Sequence, residues 1–290
     1  MNPTIRAAIW MLGAIVAFTL MAIAGRAAAF DLDTFEIMLY RSIVGFVIVV
    51  ALASVTGRLH EVSRRNLGLY FVRNLSHFAG QNLWFFAITV VPLAQVFALE
   101  FTSPIWALLM APLVLKEKLT ALKLVVAVCG FSGILIISRP FGGALDIGLI
   151  AAALSAIGFA GSAVFTRLLT RTETVVSILF YLTLMQAVFG LFAAGLDGDI
   201  AFPSASTIPW VIVIAFCGLL AHYCLTTALS IAPAATVMPI DFARLPVIAL
   251  VGIVFYAEPL DPFVLLGGVV IFAAIYLNIL DDARMRARSS

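Results

Sequence analysis

The chain has 290 residues, 63% of them hydrophobic and only 11% charged, with a formal net charge of +2. Soluble domains carry about 45–50% apolar and about 25% charged residues. The composition therefore excludes an ordinary soluble enzyme and a nucleic-acid-binding domain, and it leaves the lipid bilayer as the solvent.

A helix crossing the roughly 30 Å hydrocarbon core needs about 20 mostly apolar residues. Ten such segments are predicted, at 7–25, 36–56, 69–91, 93–115, 121–138, 148–166, 175–196, 208–230, 234–257 and 261–280. The stretches between them are too short for a soluble domain. The expected fold is an all-α membrane protein whose activity takes place in or across the bilayer, with the lipid bilayer as its first partner.

The first segment, with Arg6 before it and Ala27-Ala28-Ala29 after it, imitates a signal peptide. It is longer than a usual signal core and has a counterpart later in the chain, so it is read as a retained helix. The second segment carries Arg41. In the third, Asn74, His77, Gln81 and Trp84 follow spacings of three, four and three and share one face. The fourth holds Glu100, Phe101, Pro104 and Pro112. Gly130 and Gly133 in the fifth, and the run AAALSAIGFAGSAVF in the sixth, fit close helix packing. The eighth carries His222, Tyr223, Thr226, Thr227 and Ser230, and the ninth carries Pro239, Asp241, Arg244 and Pro246. Cys129, Cys217 and Cys224 lie within apolar segments and read as small hydrophobes, not metal ligands or disulfides. No metal or cofactor signature is found.

Lys and Arg in short loops resist translocation. If the N-terminus is cytoplasmic, that side receives thirteen basic residues and the other side only Arg26 and Arg139. Both termini are expected in the cytoplasm. Sliding the sequence along itself by 141 residues aligns Pro92 with Pro233, Phe101 with Phe242, Glu117 with Glu258, Phe131 with Phe272, Arg26 with Arg167 and Tyr40 with Tyr181. The shift also sets Glu100 against Asp241 and Gln81 against His222. The chain thus reads as two five-helix copies, 1–145 and 146–290. Five being odd, the second copy is inverted, a device of secondary transporters whose site lies near the midplane.

Charges at that depth are unfavourable by about 2.5–3.5 kcal/mol on insertion scales and normally face a partner or a cavity. Glu100 and Asp241 mirror each other. Arg41 lies at a depth where it could meet Glu100, and Arg244 follows Asp241 by one turn, either as structural ion pairs or as part of a transport path. Pro104, Pro112, Pro239 and Pro246 each remove a backbone donor and are read as gating hinges or static bends. Asn74, His77, Gln81, Trp84, Phe101, His222, Tyr223 and Thr226 are the expected lining of a water-accessible substrate cavity. Glu100, Asp241, His77 and His222 are also candidates to carry a coupling proton.

TSPIWALLMAPLVLKEKL followed by GFSGILII, together with RSIVGF, resembles the EamA-type repeat of the drug/metabolite transporter superfamily. Pro104, Glu117, Gly130 and Gly133 stand at its marked positions, and Pro246, Glu258, Gly267 and Gly268 approximate them in the second copy. FFAITVVPLAQVFALEF is most similar to the YddG-type exporters of amino acids. The resemblance implies a bacterial inner-membrane carrier that exports small metabolites, first among them amino acids including aromatic ones, by alternating access. The competing readings are an intramembrane serine protease using Ser132 of GFSG with His222, and a carrier of the same superfamily for a different metabolite such as a nucleoside or drug. Without a phosphate-binding loop, no ATP hydrolysis by the chain is expected.

Overall fold

The computed structural model describes residues 3–114, 121–139, 146–196, 198–231, 240–241 and 243–289. Eleven helices of eight residues or more are found among them: α1 Pro3–Ala28, α2 Thr34–Val55, α3 Leu67–Val90, α4 Leu93–Glu100, α5 Ser103–Val114, α6 Ala121–Ser138, α7 Ile147–Leu169, α8 Val175–Ala194, α9 Ile208–Ile231, α10 Arg244–Tyr256 and α11 Pro262–Ser289. They make ten membrane passages, because α4 and α5 are two halves of one. Seven passages are individually long and apolar enough to span. Leu67–Val90 is not among them, since Arg73, Asn74, His77, Gln81 and Asn82 give it a polar face, all of them buried.

The repeat is written in the helix boundaries. Thr34 and Val175 start α2 and α8, Leu67 and Ile208 start α3 and α9, Ser103 and Arg244 start α5 and α10, and Ala121 and Pro262 start α6 and α11. Each pair is 141 residues apart. The packing repeats as well: α1 lies along α9 as α3 lies along α7, and the shift turns one pair into the other. The α2/α8 and α6/α11 contacts each join a helix to its own counterpart. Two inverted five-helix repeats meeting about a pseudo-twofold axis account for all four interfaces.

Small residues let the backbones approach. A Cβ on Gly158 would lie 2.6 Å from Cα of Gly80, so α7 and α3 cross with no room for a side chain at either position. The counterparts at the α1/α9 crossing are Ala17 and Ala221, both fully enclosed. Gly133 and Gly267 bring α6 and α11 together in the same way, each with the other's carbonyl beneath it. The glycines read from the sequence as packing residues do that here.

Helix starts are closed by the chain's own side chains. Asp33 accepts from the Glu36 amide at 2.8 Å while Glu36 accepts from the Asp33 amide at 2.8 Å, a reciprocal cap at α2. Asp146 caps α7 through the Gly148 amide at 2.7 Å, and Thr174 caps α8. Glu36 also accepts from the Ala201 amide, which pins the α8–α9 connection to the same end of the bundle.

Candidate functional site

The fourth passage is broken. α4 ends at Glu100, α5 begins at Ser103, and Phe101 and Thr102 form a turn between them. Pro104 is the second residue of α5, where its fixed φ suits a helix start and its missing N–H is not needed. Lipid offers no partners to the freed carbonyls, so hydroxyls supply them: Thr102 Oγ1 donates to the Leu99 carbonyl at 2.7 Å and Ser103 Oγ to that of Glu100 at 2.5 Å. Pro112 sits inside α5 near its end, and Pro246 is the third residue of α10. The first half of the ninth passage, with Pro239, lies outside the described residues apart from Ile240 and Asp241, which are helical.

The break gathers charge and aromatic surface inside the helix bundle. Arg244 at the start of α10 pairs with Glu100 at 3.3 Å and with Asp241 at 3.1 Å. Trp84 Nε1 donates to the other oxygen of Glu100 at 2.8 Å. Three ring faces cover the guanidinium, Phe18 at 4.6 Å, Phe101 at 4.8 Å and Phe97 at 5.2 Å from their centroids. The α4 C-terminus carries partial negative charge, which adds to the attraction for this cation. Glu100 is therefore partnered by Arg244 and not by Arg41. Sequence supplies the depth of each residue but not which helices adjoin, and α10 packs on α4 where Arg41 was expected.

Arg41 takes a different place. Among the described residues no carboxylate lies within 4 Å of it, and its recorded contacts are Met38 Sδ at 3.7 Å and the Phe85 ring at 5.9 Å. It lines a narrow cleft between α2, α8 and α9 with Ser42, Thr183, Gln186 and His222. Space for it comes from Gly218, where a Cβ would lie 3.2 Å from Nη2.

The α3 stripe connects the two places. Arg73 Nη1 donates to Asn74 Oδ1 at 2.8 Å and Nε to Thr166 at 3.0 Å. Gln186 Nε2 donates to the Asn74 carbonyl at 2.8 Å. The His77 and His222 rings lie 6.1 Å apart, with His77 Nδ1 3.3 Å from Ser162 Oγ and His222 edge-on to Phe18. Gln81 is buried beyond them. His77 Nε2, Gln81 Oε1, Gln186 Oε1, Asp241 Oδ1 and Arg244 Nε are all enclosed without a hydrogen-bond partner among the described residues. Such groups are uncommon in a folded interior and mark polar sites.

Three expectations change. The water-accessible cavity expected between the stripes is here a narrow cleft, because Trp84, Phe85, Phe97 and the Arg244 cluster pack the middle of the bundle. Tyr223 is 60% exposed on the outward face of α9 with Ile212 and Phe216, edge-on to Trp10, since one residue beyond His222 turns about 100° away from the core. Thr226's side chain falls outside the described residues. Ser132 and His222 are not brought together: Ser132 is exposed on α6 and donates to its own helix at Val128, while His222 faces Phe18 and His77.

A second ion pair closes the bundle end opposite the termini. Arg26 at the end of α1 pairs with Glu258, donates to the Ile88 carbonyl, reaches the Val91 carbonyl at 2.6 Å and lies 4.6 Å from the Tyr256 centroid. Glu258 accepts in turn from the Leu93 amide at 2.9 Å, the first residue of α4. Ala257, at φ 52°, makes the left-handed turn that brings Glu258 back over α10. Arg26 and Glu258 each have an identical counterpart in the other repeat, Arg167 and Glu117. That signal marks them out, and Glu117 lies outside the described residues.

The comparisons agree with this architecture. The chain matches the EamA-like transporter family twice, over 5–139 and 146–280, again 141 residues apart. It is 37% identical over 227 residues to a riboflavin transporter of Brucella anthropi, covering 76% of this chain and 80% of that one. It is 26% identical to a riboflavin transporter of Vibrio cholerae, covering 86% and 84%. An S-adenosylmethionine uptake transporter of Rickettsia felis is 23% identical over 96% of this chain and 94% of its own. A solved crystal structure superimposes with a TM-score of 0.66 at 16% identity, covering 96% of this chain and 98% of the other, which supports the fold alone. With its two copies of the repeat matched over 5–139 and 146–280, the chain belongs to the EamA-like transporter family.

Proposed function

We propose that the protein carries a planar heteroaromatic metabolite of the flavin kind across a bacterial inner membrane by alternating access. The observation that carries this reading is the charge balance of the core: Arg41, Arg73 and Arg244 lie within the helix bundle, and among the described residues only Arg244 is paired with carboxylates, those of Glu100 and Asp241. A positive surplus in low dielectric repels a cation and tolerates a neutral or anionic solute. Of the two solutes in the relatives' names, riboflavin is neutral and S-adenosylmethionine is cationic. Amino acids, expected from the sequence resemblance, are zwitterions and gain less from this surplus.

On this reading the repeats 1–145 and 146–290 move against each other with the termini in the cytoplasm. The Arg26–Glu258 pair closes the outer side in the present conformation, and the breaks before Pro104 and Arg244 absorb the motion. Opening outward separates Arg26 from Glu258 and frees the start of α4 from α10.

Purified protein in liposomes, offered riboflavin, tryptophan and S-adenosylmethionine with and without a pH gradient, tests this. Saturable riboflavin movement competed by neither of the others is expected. Tryptophan movement without riboflavin movement would restore the amino-acid reading in its place.

A further inference from the structure

The 141-residue shift lets each position be compared with its own counterpart. The cleft at Arg41 lies between counterpart helices α2 and α8, so the two repeats contribute matching positions to one place. Ser42 and its counterpart Thr183, both hydroxyl residues, line it together. Arg41, in contrast, corresponds to Leu182, and Gln186 corresponds to Gly45. Gly218, which leaves room for Arg41, is the counterpart of His77. Duplication accounts for the cleft's shape. It does not account for the two polar groups added, one from each repeat.

Their chemistry is complementary and fixed. Arg41 can only donate, and no carboxylate among the described residues occupies it. Gln186 is 2% exposed. Its Nε2 donates to the Asn74 carbonyl, which can only accept, so the amide cannot be flipped and Oε1 is the free atom. Arg41 and Gln186, which both line one narrow cleft, thus offer a fixed donor and a fixed acceptor, the Gln186 oxygen being enclosed in this conformation. A carboxylate or phosphate would satisfy Arg41 but meet the lone pairs of Gln186. A ring edge with adjacent carbonyl and N–H groups satisfies both.

We infer that Arg41 and Gln186 recognise the carbonyl and N–H groups of a cyclic imide edge on the transported solute. The inference rests on the flavin reading above, and it names the edge of the isoalloxazine, C2=O, N3–H and C4=O, that enters between α2 and α8. The cleft encloses about 20 Å³ in this conformation, less than the ring's edge needs, so the edge enters as the repeats move apart. Arg41 donates to a carbonyl while N3–H donates to Gln186 Oε1.

The test is transport in proteoliposomes of riboflavin and N3-methylriboflavin, which keeps the ring but has no N3–H. The wild-type protein is expected to carry riboflavin and to discriminate against the methylated compound by about tenfold or more, the loss typical of one specific hydrogen bond with a buried acceptor left unpaired. Gln186→Leu is expected to abolish that discrimination. Arg41→Leu, which installs the residue of the other repeat, is expected to slow both compounds, with retained folding checked by size-exclusion profile and melting in detergent. If wild type carries riboflavin and its N3-methyl derivative equally well, the imide site is wrong and the flavin reading survives. If riboflavin is not carried at all, both fall. The wild-type arm decides the matter even if a variant does not fold.

Discussion

Arg244 and Arg41 are two arginines in the same membrane interior, and they are treated in opposite ways. Arg244 has two carboxylates and three aromatic faces around it. Arg41 has a thioether, a distant ring and an open cleft. A buried ion costs several kcal/mol unless paired, so a charge paired with two carboxylates is consistent with architecture. An unpartnered one persists where the protein uses it. The difference separates the part of the polar core that holds α4 to α10 from the part that meets the solute.

The largest effect is expected from breaking the satisfied side of this comparison. Arg244→Gln leaves Glu100 and Asp241 buried together without a cation, and should destabilise the protein by about 3–5 kcal/mol. The measurement is the melting temperature of the purified protein in detergent. Restoring neutrality with Glu100→Gln and Asp241→Asn in the same chain should recover much of the loss; no recovery would show that the aromatic contacts, not the charges, hold the site.

Arg26 supplies an intermediate case, since its pair with Glu258 lies at the bundle end and is slightly exposed. Arg26→Gln should lower stability by about 2 kcal/mol, less than at Arg244 because water screens the charge left on Glu258. Glu258 is held in place by Ala257 at φ 52°. Glycine adopts that conformation freely, so Ala257→Gly should raise stability by about 0.5–1 kcal/mol in the same melting assay. A fall would mean that the turn gains more from the Ala257 side chain than it loses to its backbone.

The smallest loss of stability is expected at Arg41. Arg41→Leu removes no ion pair and takes an unpaired charge out of the interior, so melting should stay at the wild-type value or rise. A loss matching that of Arg244→Gln would show that the two arginines play the same structural part, and the comparison would collapse.

Much of the fold was legible because it rests on period and composition. The apolar runs marked ten passages, and the 141-residue repeat predicted which helix starts correspond, as Leu67 with Ile208 shows. The α3 stripe was legible for the same reason: spacings of three and four put Asn74, His77, Gln81 and Trp84 on one face, and all four are buried. What depends on the rotation and neighbours of helices was not. Depth alone pointed Arg41 at Glu100, whereas the packing of α10 on α4 put Arg244 there. Adjacency in sequence suggested Tyr223 beside His222, but a 100° turn carried it to the outer face. The Arg26–Glu258 pair stood in the repeat as two matched residues, with no local pattern to say that they meet. Gln186 carried no periodic signal at all. Its place emerges only when Gly45, its counterpart, is found across the same cleft.

The account turns on one site reached from both sides of the membrane. Ser42 lines the cleft beside Arg41, so a single cysteine at Ser42, in a background lacking Cys129, Cys217 and Cys224, reports its exposure. Labelling with a membrane-impermeant thiol reagent should proceed in both right-side-out and inside-out vesicles, and riboflavin should slow it in each. Labelling from one side only, or from neither, would contradict alternating access at this cleft.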